Sequence, residues 1–331
     1  MRILYSRLYF IVILITIGIF FFLNIQDNHR IIFQRIIAQE DISTINNNSL
    51  LLLQNNKTDE LSYIHDKNII VQLLANQLET KLNKSAATLE IASKFPQIRA
   101  LPNASLINPS FHGIPKDADM AKRQIAQNIL STDKEIEVIF FIMPNGDMYF
   151  EEPYLRQENL TRDNFAFRDY YKGAISTRDT YLGDLVISAA SGLPQMYMAV
   201  PLYSTNSGGS SKTNNTENLI GLFAGGFNIF STFNKSLQSL PLSENETAIY
   251  VDNNGQIIAS SSSSSSINNQ IQLNGSNISS LQSFKDVIAG KSGYNIEKIN
   301  DKDMLIVYAP VKFKSTTWAV LFISSLNNIV K

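Results

Sequence analysis

The fold is decided by the stretch Ile136-Glu-Val-Ile-Phe-Phe-Ile-Met-Pro-Asn-Gly-Asp-Met-Tyr-Phe-Glu151 and by a second stretch of the same design, Thr247-Ala-Ile-Tyr-Val-Asp-Asn-Asn-Gly-Gln-Ile-Ile-Ala259. Each contains an apolar strand, a turn with Asn-Gly and a returning strand. This order is a strong short-range signal for a β-hairpin. The sequence therefore predicts two antiparallel hairpins.

The segments that follow the two hairpins also share one order. Each hairpin is followed by a helical stretch, an apolar strand broken by proline and a last apolar strand. The spacing from the turn glycine to that proline is 55 residues in both halves, Gly146 to Pro201 and Gly255 to Pro310. We therefore expect an α+β protein in which two modules, each an antiparallel sheet flanked by helices, follow one another.

Upstream of the first hairpin, apolar residues recur at spacings of three and four between Asp59 and Phe95. This period predicts a long amphipathic helix, which Pro96 and Pro102 end. A helix of this length either carries a signal along a rod or packs against the core, and both interpretations stay open.

The first 25 residues predict a membrane anchor. Arg2 and Arg7 flank an apolar run that reaches roughly 27 Å as a helix, enough for a bilayer core. A cleaved signal peptide is the rival interpretation, but the residues after the run lack an Ala-x-Ala pattern. We expect a cytoplasmic tail at 1–7, a transmembrane helix at 8–25, a stalk and linker at 26–58 and, because of the cationic flank, an extracytoplasmic remainder.

Composition narrows the classes of function. Lys and Arg total 28 against 29 Asp and Glu, so no basic field exists to attract a nucleic acid. The chain has no cysteine, and its three histidines are scattered, which leaves no disulfide and no metal-ligand pair at helical spacing. We expect no cofactor and no enzyme activity, because no nucleophile–base or metal constellation is recognisable.

The anchor, the long helix and the two tandem modules together resemble the double Cache sensor domain of prokaryotic chemoreceptors and sensor histidine kinases. The passages that read like this family are Leu82–Leu89, Asn164–Tyr171, Tyr181–Pro194 and Ala199–Leu202. The resemblance covers roughly residues 30 to 327. It implies a sensor-domain helix at 59–101, a PAS-like membrane-distal module at 102–230, a PAS-like membrane-proximal module at 231–327 and a tail at 328–331.

In this family the membrane-distal module binds a small ligand. One branch recognises amino acids through an arginine and two aromatic residues, which hold the carboxylate, and through two acids, which hold the ammonium. The resemblance implies that Arg168, Tyr170 and Tyr171 fill the arginine and aromatic positions. The first acid position falls on Ser188 and the second in Ala224–Gly226, so the ammonium half of the motif is missing.

The chemistry of these residues favours a carboxylate-bearing ligand. A guanidinium pairs bidentately with a carboxylate, whereas a buried ammonium without a nearby acid loses its hydration at a cost of a few kcal/mol. Asp169 and Asp184 are close to Arg168 in sequence and can serve an amine, which keeps amino acids among the candidates. The alternative role for Arg168 is a salt bridge to Asp163 or Asp184 that pins a helix to the sheet, and the alternative for the tyrosines is core packing.

We therefore expect a single-pass, membrane-anchored extracytoplasmic module that binds a small molecule, an organic acid or an amino acid. Receptors of the family carry a second span and a cytoplasmic output domain, and this sequence stops at Lys331 with neither. A role in signal transduction or chemotaxis then requires a partner, as a homodimer or as a co-receptor through the N-terminal helix. The alternative is a structural or adhesive cell-surface protein without a small-molecule ligand.

Overall fold

The first element of the fold is a long helix, α1 (Asn47–Ser93). It begins earlier than the predicted Asp59, so the end of the predicted linker is helical. The apolar residues of α1 that are buried in the core are Ile64, Val71, Leu74, Ala75, Leu78, Leu82, Ala86, Leu89 and Ala92. The helix ends before Pro96 because a residue that precedes proline is driven out of the helical region, and Phe95 accordingly has φ −65° and ψ 137°.

The computed structural model describes residues 47–204, 218–227, 230–243, 245–261 and 275–326. The chain divides into two units, residues 1–57 and 58–331, and the features below belong to the second unit. The predicted cytoplasmic tail, membrane span, upstream stalk and C-terminal tail lie outside the described residues. Within the described ranges, no helix combines the length and the apolar character needed to cross a membrane.

The first sheet has six antiparallel strands in the order β2-β1-β6-β5-β3, with β4 paired to β5. Its strands are β1 (Ile136–Ile142), β2 (Met148–Glu152), β3 (Tyr181–Leu182), β4 (Val186–Ile187), β5 (Pro194–Tyr203) and β6 (Leu219–Phe227). The helices that precede or interrupt it are α2 (Pro96–Arg99), α3 (Met120–Thr132), α4 (Tyr154–Glu158) and α5 (Asp169–Thr177). Two short 3₁₀ turns, Ala104–Leu106 and Pro109–Phe111, lie between α2 and α3.

The second sheet has five antiparallel strands in the order β8-β7-β11-β10-β9. Its strands are β7 (Glu246–Val251), β8 (Ile257–Ser260), β9 (Gly293–Ile299), β10 (Lys302–Phe313) and β11 (Thr316–Ser325). A π-helical turn, Phe230–Asn234, and α6 (Lys235–Gln238) precede it, and α7 (Gly275–Ser280) and α8 (Gln282–Ile288) interrupt it.

The two sheets share one topology. In the first sheet β1 lies between its hairpin partner β2 and the last strand β6, and β6 pairs with β5. In the second sheet β7 lies in the same way between β8 and β11, and β11 pairs with β10. The predicted long helix and antiparallel sheets are confirmed. We call the part built on the first sheet the first module (residues 120–227) and the part built on the second sheet the second module (residues 246–325).

Both faces of the first sheet are covered. Ile139 and Phe141 point into the core that contains the apolar residues of α1. Val138, Phe140 and Ile142 point to the opposite face, which we call the outer face, and pack in a cluster with residues of α5. A strand that is buried on both faces needs apolar residues at successive positions, which explains the run Val-Ile-Phe-Phe-Ile in β1.

The strands expected to be broken by proline are continuous, which corrects the prediction. β5 passes through Pro201 and β10 passes through Pro310. On one side of β5, β3 pairs only with Met198 and Ala199, and on one side of β10, β9 extends no further than Tyr308. Each proline therefore stands beyond the end of a neighbouring strand, where no partner requires its missing N–H.

The packing of α1 can be tested with two leucines on opposite sides of the helix. Leu82 is fully buried, whereas the side chain of Leu73 is 66% exposed. Leu82→Ala should lower the free energy of unfolding by about 3 kcal/mol, because it leaves a cavity in the core. Leu73→Ala should lower it by less than about 0.5 kcal/mol. Urea unfolding of both variants measures the difference, and equal losses would contradict this packing.

Candidate functional site

Arg168 and helix α5 are held above the outer face by the first hairpin. The Phe165 N–H donates to the Gly146 carbonyl at 2.7 Å, and the Tyr171 hydroxyl donates to the Pro144 carbonyl at 2.6 Å. Gly146 has φ +93°, and a Cβ at this position would lie 2.4 Å from the Cβ of Ala166. The Asn-Gly turn that predicted the hairpin therefore also brings the loop before α5 close to the sheet.

A small cavity lies between the outer face, α5 and the segment Ser188–Ala190. Its apolar wall consists of Phe140, Met148, Leu160, Phe165, Ala189 and Ala190, and its polar wall consists of Glu151, Arg168, Tyr170, Ser188 and Tyr197. The cavity measures about 10 Å³, which is room for about one water molecule. Three of the six predicted site residues, Arg168, Tyr170 and Ser188, thus meet at one place.

Arg168 has an incomplete set of partners. Its Nη2 donates to the Ile187 carbonyl at 2.8 Å, and its guanidinium lies 5.1 Å from the ring centroid of Phe167. Its Nε is buried and has no hydrogen-bond acceptor among the described residues. Within the described ranges, Arg168 forms a salt bridge neither with Asp163 nor with Asp184, and Asp163 pairs instead with His112 at 2.6 Å.

Tyr170 and Tyr197 form the aromatic part of the site. Their ring centroids are 5.1 Å apart, and the Phe140 ring meets both of them edge to face at 5.9 Å and 5.4 Å. Burial raises the pKa of the Tyr170 hydroxyl well above its ordinary value, although the nearby Arg168 acts in the opposite direction. Both hydroxyls are therefore neutral donors at physiological pH.

A buried polar network lies behind the cavity. The Arg156 Nε donates to Glu151 at 3.2 Å, and the Arg156 Nη2 donates to Gln195 at 2.6 Å and to Ser188 at 3.3 Å. The Tyr197 hydroxyl donates to the same Gln195 oxygen at 2.9 Å. Burial raises the pKa of Glu151 to about 7, and the charge of Arg156 offsets only part of this effect. The cavity thus contains a carboxyl group that changes charge near neutral pH.

The other three predicted residues lie outside the cavity wall. Tyr171 is 7% exposed and packs in the outer-face cluster, with its hydroxyl bound to the hairpin turn. A carboxylate oxygen of Asp169 accepts the backbone N–H of Asp184, so these two acids face each other below the start of α5. Within the described ranges, no group of three or more histidine or acidic side chains is arranged to hold a metal ion.

The missing acid of the last strand has a steric explanation. Gly226 lies on β6, and a Cβ there would stand 2.4 Å from Val138 Cγ1 and 2.8 Å from Tyr197 Cε1. The Tyr197 ring therefore occupies the space that an acidic side chain at this position would need. At the other acid position, Ser188 binds Arg156 and is 3% exposed.

Sequence reasoning missed Glu151, Arg156, Gln195 and Tyr197. The available signal was the presence of charged or amide side chains in or beside otherwise apolar strands, because such residues are rarely buried without partners. Glu151 and Gln195 sit on β2 and β5, which are not neighbours in the sheet, so only the tertiary fold shows that Arg156 joins them.

Comparison with solved structures supports the fold assignment. The ligand-binding domain of the Pseudomonas aeruginosa amino acid chemoreceptor PctB, in complex with L-Gln, matches with a TM-score of 0.53 and 13% identity over 81% of this chain and 91% of that chain. The ligand-binding domain of the Pseudomonas fluorescens chemoreceptor CtaA, in complex with L-isoleucine, matches with a TM-score of 0.54 and 14% identity over 83% of this chain and 97% of that chain. The ligand-binding domain of the Pseudomonas aeruginosa amino acid chemoreceptor PctC, in complex with GABA, matches with a TM-score of 0.52 and 16% identity over 80% of this chain and 100% of that chain.

Sequence comparison gives the family. No curated protein matches the chain significantly in sequence. A family model for the Cache domain, of the double Cache type, matches residues 42–331, which is most of the chain. The repeated strand order, the long helix and this match agree, and the chain belongs to the double Cache domain family.

Proposed function

We propose that this chain is a membrane-anchored, extracytoplasmic module that binds a small carboxylate-bearing ligand. The observation that carries the proposal is the buried Nε–H of Arg168, for which the described part of the chain provides no acceptor although the guanidinium lines a cavity. A buried donor without a partner costs about 1–3 kcal/mol. A carboxylate accepts from Nε and Nη2 together, and this bidentate pair would satisfy the arginine.

Ligand binding requires the cavity to widen. A volume of about 10 Å³ does not hold an organic acid. The segment Ser188–Ala190 covers the site. Among the hydrogen bonds that hold it and the preceding Ile187 are those of Arg168 to the Ile187 carbonyl, of the Thr161 N–H to the Ala189 carbonyl at 3.2 Å and of Arg156 to the Ser188 hydroxyl at 3.3 Å. A ligand carboxylate would replace the Ile187 carbonyl as the acceptor of Arg168, and this exchange would remove one of the bonds that hold the segment closed.

The ligands named for the similar chemoreceptors fit this chemistry. L-Gln, L-isoleucine and GABA each have a carboxylate and an amine. In this chain the acid available within the cavity for an amine is Glu151, which already pairs with Arg156. Arg168 and Arg156 carry two positive charges and Glu151 carries at most one negative charge, so the site favours an anionic ligand. A zwitterion becomes the better ligand only when Glu151 is ionised.

The proposal places the ligand site in the membrane-distal module, residues 102–230, above a membrane-proximal module, residues 231–327. The anchor at 8–25 would hold both outside the membrane, with the N-terminus in the cytoplasm. A response inside the cell would pass to a second copy or to a partner receptor through the N-terminal helix. We propose a binding function and no catalysis.

The alternative is a structural or adhesive surface protein, and the small cavity favours it. A thermal-shift screen of residues 58–331 against organic acids, amino acids and amines distinguishes the two functions. A ligand at 100 times its dissociation constant adds about 2.7 kcal/mol, which corresponds to roughly 5–10 °C for a unit of this size. No shift across the library would favour the structural role.

The first prediction for a ligand found in this way concerns Arg168. Arg168→Lys should weaken binding by at least about tenfold although the charge is kept, because an ammonium cannot supply two parallel donors. The matched control is Arg162→Lys. Arg162 is exposed, and its guanidinium also lies over the Phe167 ring, 5.0 Å from the ring centroid. Titration calorimetry measures both variants, and unchanged affinity in Arg168→Lys would remove the carboxylate clamp.

The second prediction concerns pH. Glu151 becomes negative as the pH rises through about 7, so the affinity for an anionic ligand should fall by about tenfold between pH 6 and pH 8. Glu151→Gln should abolish this dependence, and the exposed Glu158→Gln should keep it. An affinity that instead rises with pH would identify a ligand whose ammonium is bound by Glu151.

The third prediction tests the topology. Arg2 and Arg7 precede the apolar run and should keep the N-terminus inside the cell. Protease added to intact cells should therefore remove a tag at the C-terminus and leave an N-terminal tag intact. Protection of the C-terminal tag would overturn both the orientation and the compartment.

A further inference from the structure

Three exposed apolar side chains belong to the two segments that meet at Arg168. Phe167 is 47% exposed, Ile187 is 58% exposed and Leu193 is 65% exposed. We call these three residues the apolar rim. A single exposed apolar side chain is common on a protein surface and needs no explanation by itself. The rim differs because all three residues are connected to an arginine that has an unused donor.

The connections of the rim to Arg168 are short. The Arg168 guanidinium lies 5.1 Å from the ring centroid of Phe167, and its Nη2 donates to the Ile187 carbonyl at 2.8 Å. Leu193 belongs to the same hairpin as Ile187, and its carbonyl accepts the Ser188 N–H at 2.9 Å. Rim residues therefore precede and follow the segment that covers the ligand cavity.

The pairing of β4 with β5 turns this part of the rim towards solvent. Val186 lies opposite Gln195, and Ile187 lies opposite Pro194. Directly opposite residues of an antiparallel pair lie on one face, and successive residues alternate between the two faces. Gln195 is buried and Val186 packs against the outer-face cluster, so the side chains of Ile187 and Pro194 point away from that cluster.

The cavity itself has no room for the remainder of a ligand. Its volume of about 10 Å³ is that of about one water molecule, which is close in size to one carboxylate oxygen. On the side of the sheet, the Tyr197 ring lies 5.4 Å from the Phe140 ring, and it lies 2.8 Å from the position of a Cβ at Gly226. A group attached to a carboxylate at Arg168 must therefore extend outwards, past the rim.

The charges beside the rim favour a neutral apolar group over an ammonium. Arg162 and Arg168 both lie over the Phe167 ring, 5.0 Å and 5.1 Å from its centroid. An ammonium at the rim would be repelled by these two cations. A hydrocarbon chain would instead remove apolar surface of the rim from water.

We propose that the ligand of this site is a carboxylate that carries a hydrocarbon chain: Arg168 binds the carboxylate, and the chain lies on the apolar rim. The inference deepens the proposed binding function and rests on it, since it requires a carboxylate at Arg168. A carboxylate that replaces the Ile187 carbonyl as acceptor would bring its first carbons next to Ile187 and Phe167. The rest of the chain would leave the protein over Leu193, partly in contact with water.

The first experiment measures how affinity changes with chain length. The full chain, in lipid nanodiscs, is titrated with acetate, butyrate and hexanoate at pH 6, where the acids are ionised and Glu151 is mostly protonated. Ligand-observed NMR gives each dissociation constant, and empty nanodiscs correct for partition into lipid. Because the rim is open to water, each methylene group should tighten binding about twofold, compared with about fourfold for complete burial. Hexanoate should therefore bind about fifteenfold more tightly than acetate.

Three further probes separate the chain from the charge. Hexanedioate has the length of hexanoate and a second charged end, and it should bind no more tightly than butyrate. Hexanol and hexyltrimethylammonium keep the chain without the carboxylate, and they should bind at least about tenfold more weakly than hexanoate. Equal affinity for hexanol and hexanoate would overturn the proposal, because Arg168 would then have no part in binding.

The second experiment tests the rim with a double variant and a matched control. Ile187→Ser with Leu193→Ser should leave the affinity for acetate unchanged and reduce the preference for hexanoate over acetate to about fourfold or less. The control is Leu73→Ser with Ile91→Ser, which changes two side chains of α1 that are 66% and 57% exposed. Because α1 covers the opposite face of the first sheet, the control should keep the preference of the wild type.

The outcomes distinguish this inference from the function on which it rests. If no acid of any length binds, the carboxylate clamp and the role of the rim are both wrong. If acetate binds and the affinity does not change with chain length, the clamp stands and the role of the rim is overturned. An equal preference for hexanoate in the rim variant and in the wild type would also overturn it. Phe167→Ser repeats this comparison if the double variant does not fold.

Discussion

The structure depends on the covering of both faces of two twisted sheets. Helix α1 covers one face of each: Leu89 lies against β6 near Gly225, and the Tyr250 hydroxyl of β7 donates to the Leu74 carbonyl at 3.3 Å. The same helix thereby fixes both modules without a large direct contact between the sheets. Because one face of each sheet is fully used in this way, a ligand site can form only on the opposite face, where short helices and loops provide the cover.

Burial on the outer face also determines the chemistry of the site. The wall around Phe140 is apolar and the cavity is small, so the polar groups there depend mainly on their protein partners for stabilisation. Arg156 has three acceptors, whereas Arg168 has one carbonyl and a buried Nε–H without an acceptor. The two arginines therefore have different roles: Arg156 organises the wall, and Arg168 retains unused donor capacity. This difference, more than the identity of either residue, is the reason for proposing Arg168 and not Arg156 as the residue that binds the ligand.

Periodicity and turn chemistry were enough to predict the long helix and both hairpins, because these are local signals. The grouping of Arg168 with Tyr170 and Ser188 was implied by the family resemblance alone. Periodicity and turn chemistry were not enough for Glu151, which lies opposite Phe140 in the β1–β2 pairing, beyond a shift of register, or for Gln195, whose partner depends on sheet order. The continuity of β5 through Pro201 was also missed. A proline is tolerated or not according to where a neighbouring strand ends, and that end is a property of the tertiary fold.

Helix α5 connects the two regions in which charge is incompletely balanced. At its start, Arg168 has a donor without an acceptor, and one residue later Asp169 has an acceptor without a donor. These two groups cannot relieve each other, because Arg168 is directed to the Ile187 carbonyl and Asp169 to the N–H of Asp184. An anion at Arg168 would therefore complete the partners of the arginine and leave those of Asp169 unchanged. Because the two residues are adjacent at the start of α5, a ligand that moved Arg168 would also move Asp169. Any interaction of Asp169 that depended on this position would then be coupled to the ligand, and the coupling would be equal in both directions.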